Sequence, residues 1–243
     1  MRRLRRIVTA LLTLGLVAIG ALLLYGHVRR HPEDVPWTKL DLGQPVGLFT
    51  GRKLAELVDE GPRCRTLLDR AGIRYTRLPA RSAGPQCGYD HAVRLGSGGA
   101  LGIAYRPANL GTNCAVAAAL ALWEWHVVQP AAQRHFGRSV ASIDHFGSYS
   151  CRRLYGRAGG GWSEHARANA LDIAGFRLSD GTRIDVAADW RDRSAKGRFL
   201  REVRDGACDL FATVLSPDYN AAHRDHFHLD QAARGAWGWR ACR

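Results

Sequence analysis

The sequence has no Cys-x-x-Cys pair, the spacing that is typical of structural zinc sites and redox centres. It does contain six cysteines, and an even number of them fits a set of disulfide bonds, which persist outside the reducing cytosol. The alternative is six free, buried thiols. Pairing neighbours in sequence predicts three bonds: Cys64 with Cys87, Cys114 with Cys151, and Cys208 with Cys242.

Acidic side chains are scarce. Asp and Glu number 22 against 35 Lys and Arg, which gives a formal net charge of +13. A surface of this charge attracts polyanions. On charge alone, nucleic acid, anionic lipid headgroups and an acidic cell-wall polymer are equally suitable partners.

Charged residues are absent from the stretch 7–26, which is long enough to cross a hydrocarbon layer of ~30 Å at about 1.5 Å per residue. Four arginines in residues 1–6 predict that this end stays in the cytoplasm. No clean A-x-A-like cleavage site follows, so the pattern favours a signal anchor over a long cleaved signal peptide. Either alternative exports the rest of the chain.

The rest of the chain divides into two parts. Residues 27–62 contain Pro32, Pro36 and Pro45 among polar residues, which predicts a juxtamembrane linker. Residues 63–243, without internal repeats or low-complexity tracts, have the length of one large domain.

The apolar pattern of this domain predicts an α+β fold, with a mainly antiparallel central sheet flanked by helices. A helix is expected over 113–136, with Asn113 as N-cap, Gly137 at its end and an interruption near Pro130. Trp123 and Trp125 in this helix are expected to pack in the core rather than bind a ligand. A second helix is expected over 195–207, and the expected strands are 140–145, 170–178, 183–186, 211–215 and 226–230.

Two histidines and two aspartates have the spacing of a hydrolytic zinc site. His165 precedes Asp172 by seven residues, and Asp225 precedes His228 by three. Catalytic zinc usually takes three protein ligands and leaves the fourth position to water. We therefore predict that His165, Asp172 and His228 bind Zn²⁺. Asp225 is placed to take a proton from the bound water as general base.

The local patterns around these residues support the prediction. Asp172 lies in an apolar run, where a buried carboxylate needs a partner such as a metal ion. Alternation along 226–230 places His226 and His228 on one face of a strand. His226 is therefore predicted to contact substrate or the developing oxyanion, whereas His223 is expected to be an exposed loop residue.

These motifs resemble those of the LAS zinc metallopeptidases, which include peptidoglycan D-alanyl-D-alanine carboxypeptidases and endopeptidases and share a fold with the hedgehog signalling domain. Ser163, His165, Ala170 and Asp172 match the pattern Ser-x-His-x-x-Gly-x-Ala-x-Asp, and Asp225 with His228 matches the second motif. The resemblance implies the same zinc ligands and the same base. It also implies that Arg152, in Gly-Ser-Tyr-Ser-Cys-Arg, contacts substrate or stabilises the oxyanion, although Arg153 follows directly. Ala168 replaces the family glycine.

The domain is also similar, from about residue 63 to residue 243, to the bacterial extensin-like C-terminal family. The segments Ser-Glu-His-Ala-Arg-Ala-Asn-Ala-Leu-Asp-Ile-Ala and His-Arg-Asp-His-Phe-His-Leu-Asp are similar to its signatures. The chain has only 9 prolines and no proline repeats, so the family name does not imply a fibrous role.

The resemblances imply a peptidase of the inner membrane, with a single membrane pass and the C-terminal domain in the periplasm. Its expected substrates are peptidoglycan peptides, cut by a D,D-carboxypeptidase or an endopeptidase activity. The alternative is a non-catalytic zinc protein that binds the cell wall or a partner. A specific nucleic-acid partner is not expected, because export and the carboxylates of the site argue against it.

Overall fold

A computed structural model describes residues 1–234 and 240–243 of the chain. The α-helices are α1 (Arg2–Arg30), α2 (Thr50–Ala55), α3 (Gly61–Arg70), α4 (Cys114–Trp123), α5 (Gln129–Phe136), α6 (Val186–Asp189) and α7 (Ala195–Ala207). A π-helical turn, Glu124–Val128, joins α4 to α5, and short 3-10 turns cover Pro32–Asp34, Leu154–Gly156, Glu164–Arg167 and Ala221–His223.

The strands form three sheets. They are β1 (Ile73–Arg77), β2 (Arg81–Ser82), β3 (Gly88–Tyr89), β4 (Ala92–Gly99), β5 (Ala104–Arg106), β6 (Gly111–Asn113), β7 (Val140–Gly147), β8 (Ala170–Leu178), β9 (Arg183–Asp185), β10 (Thr213–Leu215), β11 (Phe227–Asp230) and β12 (Ala241–Cys242). The largest sheet has the order β12-β10-β11-β8-β7-β5, with β9 also paired to β8. A smaller sheet has the order β1-β4-β6, and β2 pairs with β3. The predicted α+β class is confirmed.

Helix α1 is the predicted apolar segment, and it continues beyond residue 26 to Arg30. None of its 29 residues is buried, and its most apolar window has a mean hydropathy of 2.6. In the described part of the chain, it is the one helix long and apolar enough to cross a membrane. An exposed apolar helix, as anchor or as signal, fits a domain that works outside the cytoplasm.

The segment between α1 and α3 packs against the domain. Leu40, Leu42 and the α2 residue Leu54 belong to the hydrophobic core. The buried Lys53 ammonium group donates hydrogen bonds to the Pro32 carbonyl oxygen at 3.0 Å and to Thr38 Oγ1 at 2.8 Å. The chain is therefore attached to the domain two residues after α1 ends, within the stretch expected to be a linker.

The predicted long helix is present as α4, the π turn and α5. Asn113 caps it, since its side chain accepts a hydrogen bond from Ala115 N at 2.9 Å. The predicted interruption near Pro130 takes the form of the π turn Glu124–Val128, which ends just before α5, the helix that contains Pro130 in its first turn. Proline has no N–H to donate, so the regular α-helical hydrogen-bond pattern is interrupted here. Gly137 ends the helix in the left-handed conformation, with φ of 62°.

Aromatic rings fill the space between this helix, α7 and the large sheet. The centres of the Trp123 and Phe176 rings are 5.8 Å apart, and those of the Phe176 and Phe199 rings are 5.1 Å apart; Phe176 is on β8 and Phe199 on α7. The Trp123 indole also donates to the Val203 carbonyl at 2.8 Å. Trp123 is therefore a core residue, as predicted. The helices cover one face of the sheet, and the other face carries the candidate site.

Strand β8 is the centre of the large sheet. It pairs with β7 along one edge, whereas its other edge pairs with β11 in the first half and with β9 in the second. All of these pairings are antiparallel, and the parallel pairs are β5 with β7 and β10 with β12. In this register Asp172 lies directly opposite His228 of β11 and opposite Gly147 of β7.

Three disulfide bonds are present, and two of the predicted pairings are wrong. The bonds are Cys64 with Cys114, Cys87 with Cys151, and Cys208 with Cys242, of which only the last was predicted. The first joins α3 to the start of α4, and the second joins the loop between β2 and β3 to the segment after β7. In these two bonds, each cysteine pairs with the one that the packing of distant elements brings close to it, not with its nearest neighbour along the chain.

Candidate metal site

His165, Asp172 and His228 come together on the open face of the large sheet. Asp172 and His228 lie opposite each other on β8 and β11, and His165 is in the 3-10 turn before β8. All three side chains are buried. The three residues predicted as ligands thus form one cluster that could hold a metal ion.

The donor atoms of this cluster are close together. Asp172 Oδ1 lies 3.1 Å from His165 Nε2 and 3.0 Å from His228 Nδ1, and the two nitrogens are 3.2 Å apart. Ligands of a tetrahedral zinc ion, each at about 2.0–2.2 Å from the metal, lie roughly 3.3 Å from one another. The spacing therefore suits three ligands on one side of a small cation.

Hydrogen bonds on the outer edges of the rings fix the tautomers. His165 Nδ1 lies 2.8 Å from the Ser148 carbonyl oxygen, and His228 Nε2 lies 3.0 Å from Asp230 Oδ2. Both partners are acceptors, so these two ring nitrogens carry the hydrogens. In the neutral rings, the lone pairs of the other two nitrogens then point at each other and at Asp172. Such an arrangement needs a cation, and outer hydrogen bonds of this kind are typical of metal ligands.

In the protein without metal, protons supply that positive charge. Burial acts to lower the pKa of His228, but hydrogen bonds to Asp172 and Asp230 outweigh it and raise the pKa to about 9. Burial alone would raise the pKa of Asp172, yet the neighbouring His165 and His228 rings hold it below its ordinary value. Asp172 is therefore ionised, and His228 carries a proton that a metal ion would replace.

The turn that presents His165 contains an alanine in a left-handed conformation. Ala168, at the position where the LAS pattern has glycine, has φ of 52°. Its carbonyl oxygen accepts three hydrogen bonds, from Asn113 N at 2.7 Å, Thr112 Oγ1 at 3.1 Å and Ser148 Oγ at 3.1 Å. These bonds hold the turn against the core, and β8 begins two residues later. The turn thus keeps His165 and Asp172 together without the glycine.

Asp225 reaches the cluster through His226. Asp225 Oδ1 accepts a hydrogen bond from His226 Nδ1 at 2.8 Å, and His226 Nε2 lies 3.6 Å from Asp172 Oδ1. The Asp225 side chain is 42% exposed. His226 thus lies between the predicted base and the metal ligands. The predicted alternation is confirmed, because Phe227 and Leu229 are buried in the core on the opposite face.

The two neighbouring arginines have different surroundings. Arg153 donates to the Gly160 carbonyl oxygen, and its guanidinium lies 4.7 Å from the centre of the Trp162 ring, so it is used within its own loop. The charge of Arg152 acts on His223 beside the cluster. Of the two arginines, Arg152 is the one whose charge reaches a histidine beside the cluster.

His223 is a site residue that the sequence did not reveal. The expectation of an exposed loop residue was wrong, because His223 is buried, with ring centres 5.2 Å from His226 and 5.9 Å from His228. Burial, followed by the charges of His226 and His228, lowers its pKa to about 4. Its Nδ1 donates to Asn220 Oδ1 at 2.8 Å, since that oxygen also accepts from Ala222 N. The available signal was Asn220, a capping residue three positions before the histidine.

Comparison with known proteins identifies the family. The family model for Extensin-like protein C-terminus matches residues 62–243, which include every residue of the candidate site. Searches of curated proteins and of solved structures found no match. Because the family match covers most of the chain, including both metal-ligand motifs, this protein belongs to the extensin-like C-terminal family.

Proposed function

We propose that this protein is a membrane-anchored, zinc-dependent peptidase that hydrolyses peptide bonds of peptidoglycan on the periplasmic side of the inner membrane. The observation that carries the proposal is the convergence of His165 Nε2, Asp172 Oδ1 and His228 Nδ1 within 3.0–3.2 Å of one another. His, Asp, His is a donor set that zinc accepts in catalytic sites.

Zinc bound by these residues would supply an activated water at neutral pH and a Lewis acid for the scissile carbonyl. The protein provides the acid and base groups around it. Asp225 holds His226 through the 2.8 Å hydrogen bond, so the two act as a unit that accepts the proton of the attacking water and returns it to the leaving amine. The His226 ring faces the ligand cluster, and the Asp225 carboxylate stabilises the charge that the ring gains.

Positive and polar groups next to the cluster are suited to the developing oxyanion. Arg152 brings a permanent charge to this side of the site. His223 is neutral at pH 7, so its ring can serve as a hydrogen-bonding group without repelling Arg152. Once His226 has accepted the proton of the water, its positive ring can stabilise the oxyanion together with Arg152, and this effect is expected to contribute on the order of 10²-fold or more to the rate.

Three features support a cell-wall substrate. The motifs around the ligands resemble those of the LAS peptidases, whose substrates are peptidoglycan peptides. The exposed apolar helix α1 and the three disulfides fit a domain outside the cytoplasm. The net charge of +13 favours contact with acidic polymers. A D,D-carboxypeptidase and an endopeptidase would share this site.

The second candidate function is that of a non-catalytic zinc protein that binds the cell wall or a partner. The exposed position of Asp225 favours it, because the carboxylate does not face the ligand cluster directly. In that case zinc would be structural and the histidines around it would only pack against one another.

An assay that distinguishes the two candidate functions is the digestion of muropeptides by the full-length protein in lipid nanodiscs. The zinc-loaded protein should release products that mass spectrometry identifies, and EDTA should stop the reaction. Asp225→Ala and His226→Gln should each lower kcat by about 10²–10⁴-fold while zinc content stays at one per chain. Asp205→Asn, an exposed aspartate paired with Arg204, is the matched control and should keep full activity.

Two outcomes would count against the peptidase. Stoichiometric zinc with intact muropeptides under every condition would establish the second candidate function. Wild-type rates in Asp225→Ala and His226→Gln would mean that the proposed acid–base pair is wrong.

A further inference from the structure

A groove of about 590 Å³ extends from the candidate site along the open face of the large sheet. Asp225 and Phe146 lie at the end near the metal ligands, where the Phe146 ring is 5.7 Å from His226. The groove continues over Ala174, two residues after Asp172 on β8, to a group of arginines. The groove therefore borders the site at Asp225 and Phe146, and an extended chain bound at the site could run along it.

Three arginines line the groove: Arg106, Arg177 and Arg183. Arg177 and Arg183 are directly opposite each other on the antiparallel strands β8 and β9. Their neighbours Phe176 and Ile184 are buried in the core, so both arginines belong to the open face. Like charges directly opposite in a sheet are destabilising unless something compensates them.

The protein compensates this charge incompletely. Asp144 is shared between Arg106 Nε at 3.6 Å and Arg183 Nη2 at 3.9 Å, both beyond hydrogen-bonding distance. Arg177 Nε is enclosed and has no hydrogen-bond partner in the described part of the chain. The two other carboxylates of the groove are engaged, because Asp185 Oδ1 caps α6 and Asp225 is bonded to His226.

The guanidinium groups of Arg106 and Arg183 are also accessible, with side chains 58% and 64% exposed. Planar guanidinium groups favour carboxylates, which accept two parallel hydrogen bonds. From Asp172 to Arg177 the strand rises about 16 Å at ~3.3 Å per residue. An extended peptide covers that distance with about five residues.

From this arrangement we infer that the arginine groove is a subsite for a free carboxylate of the substrate, carried by a peptide about three to five residues from the bond that is cut. The inference rests on the proposed function and narrows its substrate class to acidic peptides. Arg106 and Arg183 are specificity-determining residues in this view, and Arg177 supplies a third positive charge beneath them.

Matched peptides test the subsite. Two synthetic peptides of the same sequence would be compared, one with the distant carboxylate free and one with it converted to the amide. The full-length zinc protein should cleave the free acid with a kcat/KM roughly tenfold higher, mainly through a lower KM, as expected for a charge-assisted hydrogen bond. Arg183→Gln and Arg106→Gln should each bring the ratio of kcat/KM for the free acid to kcat/KM for the amide close to one.

Arg138→Gln is the matched control. Arg138 is also an exposed arginine with a long ion pair, 3.8 Å to Asp180, but it lies outside the groove, so its loss should leave the preference intact. Calorimetric binding of the same two peptides to the zinc-loaded protein separates this inference from the peptidase proposal. Preferential binding of the acid without cleavage would support the groove and overturn the peptidase. Equal binding of acid and amide by the wild type, or a preference that survives in the Arg106→Gln/Arg183→Gln protein, would overturn the subsite.

Discussion

Asp230 holds the outer edge of the His228 ring, with Oδ2 at 3.0 Å from Nε2. Both residues are on β11, two positions apart, and both are buried. The bond leaves Nδ1 as the atom that faces Asp172 and His165, so Asp230 decides which nitrogen of His228 is available to a metal.

Asp230→Asn should therefore weaken zinc binding. The amide can turn either its oxygen or its nitrogen toward the ring, so it no longer enforces one tautomer. Loss of such an outer carboxylate typically costs about 10–100-fold in metal affinity. Competition with a fluorescent zinc chelator would measure the change, with Asp205→Asn as control. Unchanged affinity in Asp230→Asn would contradict this role.

Zinc binding should release protons near neutral pH. With its pKa raised to about 9, His228 is protonated in the metal-free protein at pH 7, whereas Asp172 is already ionised. Binding at pH 7 should thus release about one proton, and the affinity should fall as pH is lowered from about 9. Titration calorimetry in buffers with different ionisation enthalpies gives this number. A value near zero would exclude a protonated His228.

The same raised pKa predicts how the stability of the metal-free protein depends on pH. Because the folded-state pKa of His228 lies above its ordinary value of 6.5, its contribution is fully present below pH 6.5 and is lost as pH rises through about 9. Thermal unfolding in EDTA should show a Tm that decreases over this interval. His228→Gln should remove this part of the pH dependence.

Ala168→Gly should be tolerated. A left-handed conformation costs a non-glycine residue about 1–2 kcal/mol, and the greater freedom of glycine in the unfolded chain costs roughly 0.5–1 kcal/mol. We expect stability equal to the wild type or higher by up to about 1.5 kcal/mol in urea denaturation. Ala166 lies two residues earlier in the same turn and is equally buried, but its backbone is not strained. Ala166→Gly should therefore lower the free energy of unfolding by about 1 kcal/mol. Equal losses in both variants would rule out strain at residue 168.

Removal of the Cys87–Cys151 disulfide should affect both stability and the site. The bond closes a sequence separation of 64 residues, so its loss should cost about 4 kcal/mol by chain entropy. Arg152 follows Cys151 directly, and its loop would lose an attachment. Cys87→Ser/Cys151→Ser should therefore raise KM as well as lower Tm. In the control Cys208→Ser/Cys242→Ser, whose bond lies at the end of α7, only Tm should fall. A KM equal to the wild type in the first variant would contradict the attachment of Arg152.

The local elements that carry the site were predictable from sequence. Strand β8 and helix α7 have the predicted bounds, because a mostly apolar run defines the strand and a regular amphipathic pattern defines the helix. The members of the cluster that could hold a metal could also be named, since spacing and residue type limit the choice to a few side chains. These predictions needed only short-range information.

The remaining features depend on contacts between distant segments. The disulfide partners Cys64 and Cys114 are brought together by the packing of α3 on α4, which no local pattern encodes. His223 is buried because β11 carries its neighbours to the sheet, although its own segment is polar. Similarly, the arginine groove exists only because β5, β8 and β9 lie side by side.

The bond between Lys53 and the Pro32 carbonyl has a consequence for where the protein can act. A flexible chain of about 36 residues, the length of the stretch 27–62, would span roughly 35 Å on average and let the domain sample a wide shell above the membrane. With Pro32 attached to the domain, that freedom is absent. If α1 anchors the chain as proposed, the domain would be held close to the membrane, and the peptides within its reach would be those of the wall layer nearest the membrane.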